Sequence, residues 1–284
     1  MPTEPPPEVV AEAVRRALAE DRAAEDVTTL ATVSAGLVGT ARLLAKQAGT
    51  LAGLGVGAEA FRQTDPTITC EAQAKDGDTF EKGAVLAEFA GPVRGLLQAE
   101  RVALNFVQRL SGIATLTRDY VEATKGAKAV ILDTRKTTPG LRDLEKYAVR
   151  CGGGTNHRRD LAAMAMIKDN HREALDREGI SLADGVAAIR RRSPGIPVEV
   201  EVDALDQLDA ALAANPEWIL LDNMTVADMA EAVRRTAGRA KLEASGGVTL
   251  ATVRAIAATG VDAISVGALT HSAPALDLSL ELTF

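Results

Sequence analysis

Aromatic residues are scarce in this chain: one tryptophan, two tyrosines and five phenylalanines among 284 residues, 3% in all. A base-stacking surface has little to be built from. Cysteine is scarcer, with Cys70 and Cys151 alone, far apart and without the CxxC or His-rich neighbourhood that a zinc site or redox motif needs. Reduced thiols in a cytoplasmic protein are expected. No apolar run approaches the ~20 residues of a membrane span, and the opening "MPTEPPPEVV" is acidic and proline-rich where a signal peptide is basic and then apolar. Positive charge is also in deficit. The net charge of -7 and pI near 5.2 disfavour a nucleic acid or anionic membrane held by bulk charge, so any anion site must be built locally. What is present is ordinary for a globular protein, 46% hydrophobic and 25% charged, and the length fits two domains or one barrel with an added domain.

The apolar pattern changes along the chain. After Pro5-Pro6-Pro7, "EVVAEAVRRALAED" has the spacing of an amphipathic helix. From about Gly39 to Pro92 the text reads as strands and turns, with "KDGD" a turn between "ITCEAQ" and "AVLAEFAGP", which predicts a small mixed domain with an antiparallel hairpin. A long helical pattern follows, "LLQAERVALNFVQRLSGIATLTRDYVEATKG", long enough to connect two domains. Beyond Lys128, six short apolar runs, "AVILD", "AAMAMIKD", "PVEVEVD", "WILLDN", "KLEASGG" and "DAISVGAL", alternate with helical segments. Crossovers of that length predict a parallel sheet covered by helices. With no GxGxxG after the first strand and no Walker sequence, a barrel is favoured over a nucleotide-binding doubly wound sheet.

Each run ends in polar or glycine residues that a packed core does not need. The ends are Asp133 with Arg135 and Lys136; Lys168 with Asp169 and Asn170; Glu199, Glu201 and Asp203; Asp222 with Asn223; Ser245 with Gly246 and Gly247; and Gly267. In a parallel barrel those ends share one face, where such folds place their active sites. Residues 133–172 hold nine Lys or Arg against five acids in a chain whose total is negative, which points to a small polyanionic substrate. His157, between three glycines and two arginines, reads as an anion or substrate contact. Glu201 and Asp222 can converge from adjacent strands to hold sugar hydroxyls, a divalent metal or a cationic transition state. Alternation in "VEVEVD" puts Glu199, Glu201 and Asp203 on one face, so periodicity does not separate them. The two glycine turns can cradle a phosphate.

With these residues assembled, the chain closely resembles the quinolinate phosphoribosyltransferase family, also called nicotinate-nucleotide pyrophosphorylases (carboxylating). The resemblance rests on "DVTT" at 26–29, "ERVALNFVQRLSGIAT", "LDTRKTTPGLR", "KYAVRCGGGTNHRRDL", "MIKDNH", "VEVEVD", "LLDNM", "LEASGG" and "ISVGALTHS", in order over nearly the whole chain. It implies an N-terminal α/β sandwich over residues 1–111 and an open α/β barrel over 112–270, with the tail 271–284 packing back on the first domain. It implies a homodimer, or a higher oligomer, whose active sites borrow residues from the partner.

The implied reaction joins quinolinate to 5-phosphoribosyl 1-diphosphate with Mg2+, giving nicotinate mononucleotide, diphosphate and carbon dioxide in NAD biosynthesis. Carried over by motif, Arg135, His157, Arg158 and Lys168 surround the quinolinate carboxylates, and Arg101 reaches that pocket from the other subunit. Lys136 contacts the diphosphate of the donor. Glu201 and Asp222 sit near the ribose hydroxyls and the metal, directly or through water, and Ser245, Gly246, Gly247 and Gly267 hold the 5-phosphate. Three other readings compete: a phosphoribosyltransferase-like relative associated with molybdate transport, a Schiff-base aldolase using Lys136 or Lys168, and a non-catalytic module that binds phosphometabolites. Carboxylates at 201 and 222 argue against the last, since a pure anion binder gains nothing from them.

Overall fold

The computed structural model describes residues 3–284, and the chain divides into two units. The first takes the chain up to Arg118 together with Lys136–Gly153 and Ala268–Phe284; the second takes Asp119–Arg135 and Gly154–Gly267. The division falls inside the long helix Val93–Ala123. No helix among the described residues is long and apolar enough to cross a membrane.

The first unit holds β1 (Val38–Ala45), β2 (Gly49–Thr50), β3 (Thr69–Ala72), β4 (Thr79–Phe80), β5 (Val85–Pro92) and, from the far end of the chain, the strand Leu278–Thr283. That last strand pairs antiparallel with β1, and the sheet continues through β5 to β3. On β1 the alternation of Ala41, Leu43 and Ala45 inward with Arg42 outward lets Arg42 pair with its cross-strand neighbour Glu88 at 2.8 Å. Inside, the Phe61 ring stacks on Phe89 with centroids 4.2 Å apart, among the fully buried Leu51, Leu86, Leu96 and Leu110. The antiparallel partners flanking "KDGD" are β3 and β5, while β4 between them pairs with β2.

A helix at Leu54–Thr64 interrupts the stretch that reads as strands and turns. Its glycines at 53, 55 and 57 obscure the helical period and lower its propensity. Position 57 explains one of them: a Cβ there would press into Val107 Cγ2 at 2.7 Å, so the glycine permits close approach to the long helix. The cap comes from a distance, because Asp76 accepts the Gly53 and Leu54 N–H groups at 2.8 and 3.1 Å.

Glu145 is the buried tie of this unit. Its side chain is fully buried and accepts from Arg109 Nη2 at 3.0 Å, Thr138 N at 3.0 Å and Thr138 Oγ1 at 2.7 Å. Arg109 also donates to the Ala273 and Thr270 carbonyls, which joins three sequence-distant segments. Breaking a buried pair strands the remaining charge. Glu145→Ala is therefore expected to cost about 3–5 kcal/mol, read as a lower denaturant midpoint at unchanged slope; a midpoint equal to wild type contradicts this assignment.

The second unit is a single parallel sheet of β6 (Val130–Leu132), β7 (Ala165–Ile167), β8 (Val198–Val202), β9 (Trp218–Asp222), β10 (Lys241–Ser245) and β11 (Ala263–Ser265). The order is β6-β11-β10-β9-β8-β7. Each strand from β7 onward lies beside its successor and β11 returns to β6, so the order never reverses as it would in a doubly wound sheet. This is a barrel left open between β6 and β7. At the opening, Thr155 makes an isolated parallel bridge to Leu132. The crossover helices start where the sequence allows: Ser181 and Thr225 cap Leu182–Arg192 and Val226–Thr236 by accepting the Asp184 and Asp228 N–H groups at 3.1 Å.

Candidate active site

The carboxyl ends of β6 to β11 bring together ten of the twelve residues singled out above: Arg135, His157, Arg158, Lys168, Glu201, Asp222, Ser245, Gly246, Gly247 and Gly267 all belong to the second unit. Arg101 and Lys136 belong to the first. Arg101 is exposed on the helix Val93–Ala123, and Lys136 has an exposed side chain and a carbonyl that accepts from Thr270 Oγ1 at 2.8 Å.

The structure separates the three acids of "VEVEVD". Glu201 is mostly buried and bonds to the Lys168 ammonium, which leaves the end of β7. Asp203 is exposed and accepts from Gln207 Nε2 at 2.5 Å, closing the turn after β8. Glu199 is fully buried and faces His157. Glu201 is registered with Leu220 on β9, so Asp222, two residues on, projects from the same face of the neighbouring strand. The Asp222 side chain accepts from Asn223 Nδ2 at 2.8 Å.

His157 lies deeper than an anion contact on an open face would. Its side chain is 8% exposed, and Nε2 stands 3.4 Å from Glu199 and 3.1 Å from Glu243, itself 2% exposed. Glu243 also accepts from Ser265 Oγ at 2.5 Å, while neither Glu199 oxygen meets the geometry of a hydrogen bond. The surrounding loop is fixed by Asp133, fully buried, which accepts from the His157 backbone N–H at 2.8 Å and from Asn156 Nδ2 at 2.6 Å. Among the described residues this trio is also the one His/Cys/Asp/Glu group with donor atoms close enough to consider for a metal ion.

Burial alone would push the His157 imidazole down, but Glu199 and Glu243 at Nε2 outweigh it and push it up to about 9. Burial, with the Glu243 charge adding to it, pushes the Glu199 carboxyl up to about 7. Nδ1 lies 2.7 Å from the Arg158 backbone N–H and accepts it, which puts the ring's own proton on Nε2. With Nδ1 occupied, the extra proton that these carboxylates favour sits between Nε2 and the carboxylates, and the trio binds protons more tightly than its separated members would. The folded chain therefore holds more protons than the unfolded chain across this window, and stability is expected to fall as pH rises from about 7 to about 9. Melting temperature against pH checks this; a rise over that interval contradicts it.

Arg158 is half-buried. Its guanidinium donates to the Met164 carbonyl at 3.0 Å and contacts Met166 Sδ at 3.4 Å, and burial together with the nearby Arg135 pulls its pKa down. Two arginines held together in partial burial are costly without an anion between them.

After β10 the chain turns through Gly246 at φ 91° and Gly247 at φ 59°, both in the left-handed region. A Cβ on Gly246 would overlap the Asn223 side-chain amide and lie 2.9 Å from its backbone nitrogen. Asn223 donates its own N–H to the Ser245 carbonyl at 2.9 Å, which locks the two strand ends together. The following helix begins only at Val253, so the amides offered here are those of a turn and not of a helix N-terminus.

Asp133, Glu199 and Asn223 stand among the polar strand ends in the sequence without a role of their own, and Glu243 is not singled out there. One signal is available for Glu243: a carboxylate between Leu242 and Ala244 at the middle of a strand.

The comparisons agree with this geometry. Residues 26–111 match the family described as quinolinate phosphoribosyl transferase, N-terminal domain, and residues 113–281 match its C-terminal domain. The chain is 47% identical over 278 residues to the nicotinate-nucleotide pyrophosphorylase [carboxylating] of Mycobacterium leprae, covering 95% of each chain. It is 44% identical over 243 residues to the probable enzyme of that name from Bacillus subtilis, covering 86% of this chain and 83% of the other. The crystal structure of NadC from Streptococcus pyogenes superposes with a TM-score of 0.94 at 42% identity over 99% of both chains. An open barrel with an antiparallel N-terminal sheet, basic and acidic strand ends meeting on one face, and these matches over nearly its whole length place the chain in the quinolinate phosphoribosyltransferase family.

Proposed function

We propose that this chain is a decarboxylating phosphoribosyltransferase that converts quinolinate and 5-phosphoribosyl 1-diphosphate to nicotinate mononucleotide, diphosphate and carbon dioxide. The observation that carries the reading is the division of one barrel face: Arg135 just beyond β6, Arg158 in the loop before β7 and Lys168 just beyond β7, Glu201 and Asp222 on β8 and β9, and the Ser245–Gly247 turn after β10. Cations take the dicarboxylate, carboxylates take the ribose, and the turn takes the 5-phosphate.

Arg135, Arg158 and Lys168 hold the two carboxylates and aim the ring nitrogen at the ribose carbon that bears the diphosphate. As the carbon–oxygen bond to diphosphate breaks, positive charge develops on the ring of the sugar, and Glu201 and Asp222 stabilise it. The nitrogen forms the new bond and becomes quaternary. The bond from C2 to its carboxyl then breaks, carbon dioxide leaves, the electron pair stays at C2 beside the positive nitrogen, and a proton replaces the carboxyl. Lys168, bonded to Glu201 in the free chain, must exchange that carboxylate for one of the substrate's.

Mg2+ fits Glu201 and Asp222, which offer oxygen donors from the same face of adjacent strands, and two carboxylates plus substrate phosphates are a usual magnesium set. When bound, the ion neutralises charge on the departing diphosphate. Lys136 lies one residue beyond Arg135 and is assigned to the diphosphate, and Arg101 to the dicarboxylate of a partner subunit. The assignment of Arg101 makes the active unit a homodimer. A cytoplasmic location accords with the unpaired thiols of Cys70 and Cys151.

The test is to supply quinolinate, the donor and Mg2+ and to measure nicotinate mononucleotide. Product that requires both substrates supports the reading; none at any metal concentration overturns it. For the shared site, Arg101→Ala subunits mixed with Lys136→Ala subunits are expected to regain about one working site in each mixed dimer. No recovery would contradict sharing.

A further inference from the structure

The buried trio of His157, Glu199 and Glu243 is given no step in the reaction above. Its members come from three places in the second unit: His157 from the loop at the barrel opening, Glu199 from β8 and Glu243 from β10. Residues 156–164 form no regular helix or strand, and they follow a run of three glycines, Gly152 to Gly154. Something must hold that loop in one place if Arg158 is to meet a substrate. Its restraints include Thr155 bridged to Leu132, Asp133 on the backbone and side chain of 156–157, Asp160 accepting from the Ala162 and Ala163 N–H groups, the Arg158 contacts to Met164 and Met166, and the imidazole inserted between Glu199 and Glu243.

Two buried carboxylates facing one imidazole are a poor device for stability, because apolar residues of similar size would fill the same volume without desolvation cost. Glu199 is costlier still, with both oxygens buried and held to His157 Nε2 by charge at 3.4 Å without hydrogen-bond geometry. Such a group suits the fixing of one arrangement against alternatives. We propose that Glu199 and Glu243 are positioning residues of this active site: they grip His157 at Nε2, and through the Arg158 N–H on Nδ1 they fix the loop that presents Arg158 to the substrate dicarboxylate. This rests on the reading of Arg158 as a dicarboxylate contact. The charged and titratable groups near the imidazole include Glu199, Glu243, Asp133, Arg158 and, beyond it, Arg135.

The experiment compares wild type with Glu243→Gln, Glu199→Gln and the milder Ser265→Ala, which removes the donor on Glu243. Misplacing a substrate contact by about an ångström costs on the order of 100-fold. The glutamine variants are expected to raise KM for quinolinate about 10- to 100-fold, with KM for the phosphoribosyl donor near the wild-type value. Glu243→Asp is expected to recover part of the loss. A lower melting temperature with quinolinate KM unchanged would mean a merely structural role and overturns the proposal.

The chain has three histidines, so 15N labelling of histidine gives three imidazoles to assign. In wild type, one ring is expected with a bare Nδ1 and a protonated Nε2, and Ser265→Ala or either glutamine variant is expected to release it. This readout needs no turnover, so it still tests the grip if wild type makes no nicotinate mononucleotide and if a glutamine variant fails to fold. A His157 ring with a protonated Nδ1 in wild type, or a stoichiometric transition metal bound by the trio, overturns the proposal.

Discussion

Arg158→Ala is expected to lower kcat/KM for quinolinate by roughly 30- to 5,000-fold, the equivalent of about 2–5 kcal/mol for truncating one side of a buried, hydrogen-bonded charge pair. The guanidinium is held half-buried by the Met164 carbonyl with Arg135 nearby, so its fork is set before an anion arrives. Preorganised charge in a partly dry site interacts far more strongly than charge in water. Arg158→Lys keeps the charge but loses the planar fork, and most of the loss should remain. The donor's KM should stay near wild type. If both KM values rise together, Arg158 supports the face as a whole and does not select the dicarboxylate.

Gly246→Ala should damage the opposite end of the site. At φ 91° an alanine carries about 1–3 kcal/mol of backbone strain, and its Cβ would overlap the Asn223 amide, whose backbone is tied to Ser245. The turn must open, and with it the amides assigned to the 5-phosphate. KM for the phosphoribosyl donor is expected to rise on the order of 30-fold or more, from about 2 kcal/mol of lost binding, with quinolinate binding little changed. Gly247→Ala is the comparison: its φ of 59° is milder and nothing lies within 4 Å of the added carbon, so strain acts there without overlap. Equal effects at the two positions would show that crowding against Asn223 is not what matters.

These two substitutions probe residues that sequence alone placed on one face. The period of apolar runs was enough for the barrel, because buried parallel strands read as short hydrophobic blocks and each block here ends in a residue that a core has no use for. What was illegible depended on the third dimension. "VEVEVD" puts three acids on one side of a strand, but burial varies steeply along five residues: Glu199 is in the core, Glu201 at the rim beside Lys168, and Asp203 in solvent. His157 stands between glycines and arginines and reads as an anion or substrate contact; the direction of its ring is set by carboxylates 42 and 86 residues further on, which no local pattern can supply. The helix Leu54–Thr64 escaped for a related reason, since its cap, Asp76, lies beyond it in sequence and its Gly57 serves packing against the long helix.

The account's central claim is that one barrel face joins the two substrates and then removes one carboxyl, and a single labelling measurement addresses it directly. Quinolinate carrying 13C in the carboxyl at C2 is turned over by the purified chain with the donor and Mg2+, and labelled carbon dioxide is measured against diphosphate. The account predicts that all the label leaves as carbon dioxide, one for each diphosphate, and that nicotinate mononucleotide retains none of it. Diphosphate release without labelled carbon dioxide, or label retained in the nucleotide, would contradict it.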